Sequence, residues 1–419
     1  MNRDFQEGNY MQKEMIVYED AGYKNLYPLS LTRPVFHLRC GIFTLLEKLV
    51  RHFPGYRIAY GVRKVLAGLV KESHPEAMVN VKPESAAFFI NGRFILEGDI
   101  PTDLEKSTAF RLGKEIVGAY LLAKDHDLIS IKRDGSFNTS ALNKLPSIAV
   151  EGALITYPWD LVHKNADQIN DDFAFIKGNG QILGKLYPDV TLLAQENIYL
   201  APAAELHPGV VVNSESGPVY IAAEARIMSN AVIEGPAYIG RGTTIKVGAK
   251  IYEGTSIGPG CKVGGEVECS ILQAHSNKQH EGFLGHAFLG EWVNIGAGTN
   301  NSDLKNNYGT VKMHVNGKLI DSGSQFVGLF MGDHAKCGIN TMFNTGTTVG
   351  IMSNVFGTGY LPKFIPSFAW GGDENGGKHD LKKALATARV VMARRKKKLT
   401  KAQAAVLRQV SKMVMTNPV

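Results

Sequence analysis

The stretch YIAAEARIMSNAVIEGPAYIGRGTTIKVGAKIYEGTSIGPGCKVGG, residues 220–265, decides the fold. Ile221, Ile227, Ile233, Ile239, Ile245, Ile251, Ile257 and Val263 fall at six-residue steps. A fixed period with one aliphatic per unit is the pattern of hexapeptide β-helix repeats. Three short strands make one triangular coil, each strand points its aliphatic at the axis, and stacked coils bury a continuous ladder. Glycine and asparagine suit the corners, where the backbone needs positive φ.

Outward from this stretch the rhythm falters and returns. Phe283, Leu289 and Ile295 keep the step, as do Met331, Cys337, Phe343, Val349 and Val355. Between the two series lies NNSDLKNNYGTVKMHVNGKLIDSGSQ, an interruption of the kind that maps to a loop on one face of a solenoid. The β-helix is therefore placed at residues 205–366. Upstream, EMIVYED, RIAYGV and AAFFING read as strands, and CGIFTLLEKLVRHF as an amphipathic helix. Strands alternating with helices predict an α/β domain with a mostly parallel sheet over residues 1–185. Residues 186–204 connect the two domains. A tail and a basic helix, from about residue 379 to 415, fill 367–419.

Composition narrows the class. Hydrophobic residues make up 44% and charged residues 20%, as in a globular protein. No apolar run is long enough to span a membrane, and the N-terminal residues have no apolar signal core, so a cytoplasmic protein without membrane insertion is expected. Cys40, Cys261, Cys269 and Cys337 form no C-x-x-C pair, which fits free thiols. The net charge of +7 owes much to ARRKKKLTK, residues 393–401, with six basic residues. Without interleaved aromatics this run reads as a solvated helix face that attracts phosphorylated small molecules rather than nucleic acid.

The break at SNKQHEGFLGHAFLGEWVNIGAGT, residues 276–299, carries the chemistry. A neutral imidazole can serve as a general base near neutral pH. Amides at a glycine-rich turn such as Gly296–Gly298 can stabilise an oxyanion. A broken coil can push such a histidine into a groove. The histidines here have no carboxylate or cysteine partners at metal-ligand spacing.

This break, with LSLTRPVFHLRCGI, FFINGRFIL and the basic C-terminal helix, resembles the divergent, Bacteroidetes-type branch of the bifunctional N-acetylglucosamine-1-phosphate uridyltransferase/glucosamine-1-phosphate acetyltransferase family. The resemblance implies a Rossmann-like α/β nucleotidyltransferase domain, a left-handed parallel β-helix of hexapeptide repeats and a C-terminal α-helix. It makes His280, fourteen residues before Asn294, the catalytic base. Read from the residues, His286 is structural, with a role supporting the base as its alternative, and His275, His314 and His334 are structural. The resemblance assigns Lys278, Asn294, Gly296, Ala297, Asn306 and Tyr308 to sugar and coenzyme A. Phe283 replaces the family's tyrosine. Lys24, Asn25, Arg33, Arg39, Asn91 and Arg93 fall where nucleotide and sugar phosphate are held. Asn25 and Val35 depart from the family's loop arginine and lysine, and Arg93 replaces the metal-binding aspartate of N-G-D. Acetyl-CoA, Mg2+, sugar-1-phosphate and nucleoside triphosphate are implied as substrates and cofactors, and a homotrimer as the assembly. Two alternatives stand beside this: a non-catalytic sugar-nucleotide-binding or regulatory protein, and a single-activity acyltransferase for another sugar.

Overall fold

A computed structural model describes residues 13–372 and 376–416. The chain divides into two compact units, residues 1–21 with 46–154, and residues 22–45 with 155–419.

The first unit is built on a six-stranded sheet. Its strands are β1 (Glu14–Tyr18), β2 (Arg57–Gly61), β3 (Ala87–Asn91), β4 (Thr108–Leu112), β5 (Glu115–Leu121) and β6 (Ser147–Ala149), in the order β6-β4-β5-β3-β1-β2. The expected parallel character holds for β1 with β2 and β3, and for β4 with β6, while β5 runs antiparallel between β3 and β4. β1 and β3 are buried along their whole length, which explains their near-continuous apolar sequences EMIVY and AFFIN. Tyr18 pairs in register with Asn91, so both strands end at one level.

The second unit contains the β-helix. Three parallel sheets of short strands form its faces, the longest with nine strands. The parallel β-helix and helices after it are present, but the coils begin before residue 205: Lys185–Leu186 pairs with Glu205–Leu206, Thr191–Leu193 with Val211–Asn213 and Ile198–Leu200 with Val219–Ile221, so the expected connecting segment 186–204 belongs to the β-helix. Ile221, Ile227, Ile233, Ile239, Ile245, Ile251, Ile257 and Val263 are all buried in one continuous core cluster. A fully buried aliphatic of this kind contributes about 1.5–3 kcal/mol, so the ladder is the main source of the unit's cohesion. Gly242, Gly248, Gly254 and Gly260 hold the corners with φ between +64° and +67°.

The break in the period is a shortened coil. Ile245 stacks on Val263, eighteen residues on, but Val263 stacks on Lys278, only fifteen on (278 − 263). The inward positions then shift. Phe283 does not keep the ladder step as the spacing suggested, because Leu284 stacks on Val267 and takes the interior place. Leu289, Ile295, Met331, Cys337, Phe343, Val349 and Val355 are interior, as expected. The interruption leaves the coil after strand Asn300–Asn301 and folds into a hairpin of Lys312–Val315 and Lys318–Asp321.

The single C-terminal helix of the sequence reading is two helices, Leu381–Ala393 and Lys401–Thr416. The basic run lies mostly in the turn between them rather than on a helix face. Asp380 caps the first helix by accepting from the Lys383 amide at 2.9 Å.

Candidate functional site

On one face of the β-helix, the outward positions of successive coils form a ladder. Lys262 pairs with Asn277, Asn277 with Asn294, and Asn294 with Lys336. Neighbouring rungs are separated by the strand spacing of about 4.8 Å, so two asparagines sit between two lysines. Arg394 and Arg395, just past the first C-terminal helix, close over this row. Together with His275, Gln279 and Trp292 they line a groove of about 370 Å³.

The groove is electropositive and lacks a carboxylate among its lining residues. Burial and the nearby Arg395, Lys246 and Arg394 push the Lys262 ammonium below its usual range. Burial alone pulls Lys336 down to about 8, and its ammonium donates to the His334 carbonyl at 2.9 Å. Cations crowded without a counter-charge bind an anion favourably, because the anion relieves their repulsion. His275, read as structural, lines this groove and stacks on Trp292 with ring centroids 4.4 Å apart.

His280 sits at the corner following this face. It is exposed, and its ring makes no hydrogen bond among the described residues. Gln279, its neighbour in sequence, lines the groove. Lys278 does not reach the groove, which corrects its assignment as a substrate ligand. It occupies an interior ladder position, 1% exposed, and donates to the carbonyls of Gly264, at 3.1 Å, and of His280. Burial draws its ammonium down to about 8. Lys278 thus fixes the backbone that carries His280.

The glycine turn is packed rather than open. A side chain on Gly296 would lie 2.0 Å from the Gly338 carbonyl oxygen. The Gly296 amide donates to Cys337 Sγ at 3.4 Å and the Gly298 amide to the Glu281 carbonyl at 3.0 Å. These two amides are therefore not a free oxyanion-binding pair. Ala297 accepts from the Asn340 amide at 2.7 Å. Asn306 and Tyr308 are exposed on the interruption that follows Asn300–Asn301, and neither is among the residues lining the groove. His286 Nδ1 is 2.8 Å from Asp303 Oδ2 and its ring stacks on Phe326, anchoring both ends of the interruption.

The residues assigned to nucleotide phosphate are spread over both units. In the first, Asn91 accepts from the Arg93 amide at 3.0 Å, and Arg93 forms a two-point pair with Asp20 at 2.9 and 2.6 Å. These groups lie just beyond the carboxyl ends of β1 and β3, where open α/β sheets place ligands. Arg63 forks onto buried Glu19 with two bonds of 3.0 Å. In the second unit, Arg33 donates to Glu291 at 2.8 Å and to Asp333 at 2.5 Å, and Thr32 donates to the same Asp333 carboxylate. Burial opposes the charge on both Arg33 and Asp333. Their mutual attraction outweighs it, holding the guanidinium protonated and the carboxyl below its usual range. Arg39 is buried over the Tyr238 ring and donates to the Ile42 carbonyl. Arg33, Arg39 and Arg93 are thus engaged within the protein, contrary to the phosphate-binding assignment. Lys24 is exposed and Asn25 half-buried, and neither has a polar partner among the described residues. Among those residues, no group of three or more His, Cys, Asp or Glu side chains could hold a metal ion. No helix is long and apolar enough to cross a membrane.

Residues 15–180 match the family model described as sugar nucleotidyl transferase. The bifunctional sugar-1-phosphate nucleotidylyltransferase/acetyltransferase of Sulfurisphaera tokodaii is 28% identical over 269 residues, which is 63% of this chain and 56% of that protein. The bifunctional protein GlmU of Bartonella quintana is 24% identical over 301 residues, 67% of this chain and 62% of that protein. The chain spans about half to three-fifths of the length of these relatives. Among solved structures, an Arabidopsis UDP-N-acetylglucosamine acyltransferase covers 51% of this chain, and 80% of its own, at 10% identity and a TM-score of 0.25. Nothing about function follows from so low a score. The chain is thus similar, over its first part, to sugar nucleotidyl transferases and, over longer spans, to proteins named for two transferase activities.

Proposed function

We propose that the chain transfers an acetyl group from acetyl-CoA to the amine of an amino-sugar phosphate, with glucosamine-1-phosphate as the acceptor, and that the groove on the β-helix holds the phosphate. The observation that carries this reading is the row Lys262–Asn277–Asn294–Lys336 beneath Arg394 and Arg395, cationic and free of carboxylates. Phosphate groups of a sugar or of coenzyme A match it in charge and in hydrogen-bond sense. His280 takes the proton from the attacking amine as the C–N bond forms, and the coenzyme A thiolate leaves. Its exposed ring leaves room for that encounter, and Lys278 steadies its backbone. A homotrimer, as the resemblance implies, would carry the exposed interruption bearing Asn306 and Tyr308 toward the groove of a neighbouring copy. The protein acts in the cytoplasm, in sugar-nucleotide synthesis, as in the divergent Bacteroidetes-type branch.

The first unit, on this reading, handles the acetylated sugar-1-phosphate with UTP. Two outcomes are open to it, nucleotidyl transfer or binding without turnover. The Arg93–Asp20 pair favours the second. Nucleotidyl transfer uses Mg2+ to neutralise charge on the phosphates, yet Asp20 is committed to Arg93, and the described residues offer no metal-ligand cluster. Mg2+ is held by one or two carboxylates together with substrate phosphates and water, and Asp20, paired with Arg93, is not free to be one of them.

The test is titration calorimetry of acetyl-CoA and glucosamine-1-phosphate onto wild type, Asn294→Ala and Lys336→Met, with thiol release measured across a panel of amino-sugar acceptors. Binding weakened in both variants and turnover on the phosphorylated acceptor support the reading. Equal binding in all three proteins removes the groove as the site.

A further inference from the structure

The groove has a direction of hydrogen bonding, and it is set from the C-terminal link. Arg395 Nη1 donates to the Gly260 carbonyl at 2.8 Å, and Nη2 donates to Asn277 Oδ1 at 2.7 Å. Asn277 Nδ2 in turn donates to Asn294 Oδ1 at 3.3 Å. An asparagine amide can turn over, and its two ends differ little in shape. A guanidinium, however, only donates. Arg395 therefore obliges Asn277 to offer its oxygen. The nitrogen of that amide then points along the row at Asn294, which must answer with its own oxygen. Asn294 then turns its NH2 group, with no partner of its own among the described residues, to a ligand, while its oxygen is engaged by Asn277.

We propose that Arg395 is a positioning residue that fixes the amide polarity of Asn277 and, through it, of Asn294, so that the groove selects a ligand group that only accepts hydrogen bonds, a phosphoryl group. This rests on the reading of the groove as the substrate site and deepens it. Lys262, Lys336 and Arg394 have donors alone, so a properly turned Asn294 makes the whole row a donor surface. A turned-over Asn294 would set a carbonyl oxygen against a phosphate oxygen. Arg395 thus does more than add charge, and it couples the fold of the C-terminal helices to recognition on the β-helix.

The experiment uses the full-length protein and three probes, acetyl-CoA, glucosamine-1-phosphate and inorganic pyrophosphate, with dissociation constants measured by calorimetry. Arg395→Lys keeps a donor-only group and is expected to bind within about twofold of wild type. Arg395→Glu can only accept, so it reverses the relay. Its loss is expected to exceed that of Lys397→Glu by about tenfold, the worth of one charge-assisted hydrogen bond. Lys397 is exposed and outside the groove lining, so its reversal measures the effect of charge alone. In an Asn294→Ala background the excess of Arg395→Glu over Lys397→Glu is expected to shrink, because the amide through which the relay reaches the ligand is gone and only Asn277 remains to turn. An Arg395→Glu loss no larger than that of Lys397→Glu, or an excess undiminished in Asn294→Ala, overturns the relay. Relay-dependent binding of pyrophosphate alone would retain the relay and reject the acetyl-transfer reading. A wild type that binds none of the three overturns both.

Discussion

Replacing Arg33 by methionine tests the account of LTRP most severely. The guanidinium and the Asp333 carboxylate are each 8% exposed, and they meet at 2.5 Å. Asp333 also accepts from Thr32 and from the Glu291 amide, so it is fixed in place when its partner goes. Removing one member of such a pair leaves a buried, uncompensated charge and destabilises by about 3–5 kcal/mol. Glu291 is 30% exposed and adds little to that figure, because water screens it. Arg33→Met/Asp333→Asn should recover much of the loss, since the stranded charge is gone as well. Asp333 is held below its ordinary 3.8, so the stabilisation is present above that pH and fades as pH falls through the lower folded value. The assay is urea denaturation from pH 7 down to pH 3, with hydrogen exchange followed over residues 22–45. Arg33→Met should lower the midpoint at pH 7 and raise exchange in that segment, with the gap from wild type narrowing in acid. A variant of unchanged stability that had lost nucleotide binding would refute the reasoning and return Arg33 to the phosphate site.

Three further outcomes follow from the same structure. Lys336 is drawn down to about 8, so anion binding in the groove should weaken as pH rises through 8, and Lys336→Arg should remove that dependence when binding is titrated from pH 7 to 10. Lys278 releases its proton near 8 in the folded protein against 10.5 in the unfolded chain. Stability should therefore climb between those values, by up to about 3 kcal/mol, and denaturation of Lys278→Met should show a flatter profile. Gly296→Ala forces a methyl to 2.0 Å from the Gly338 carbonyl oxygen, and should destabilise the protein by about 1–3 kcal/mol or more in urea denaturation.

The ladder was legible because six-residue steps write the interior directly into the sequence, from Ile221 to Val263. The groove was not, although Asn294 was found. Its row becomes readable only when each outward residue is taken as the one before an interior residue: Lys262 before Val263, Asn277 before Lys278, Asn294 before Ile295, Lys336 before Cys337. That alignment requires knowing that one coil has lost three residues and that the next rung lies beyond the interruption. Lys278 misled because motif position places it beside the base, whereas the strand's alternation turns it inward. Arg33 misled because its carboxylates lie 258 and 300 residues away in the chain. Arg93 was readable as an oddity in N-G-R, and its partner Asp20 lay in the preceding acidic cluster, but only the register of β1 with β3 puts them together.

The most direct measurement of the central claim is a paired assay on wild type and His280→Ala. One arm follows free thiol release from acetyl-CoA with glucosamine-1-phosphate, and the other pyrophosphate release from UTP and N-acetylglucosamine-1-phosphate with Mg2+. The account predicts thiol release in wild type, its loss by about 100-fold or more in His280→Ala, and no pyrophosphate from either protein. Thiol release undiminished in His280→Ala, or absent from wild type, would contradict it.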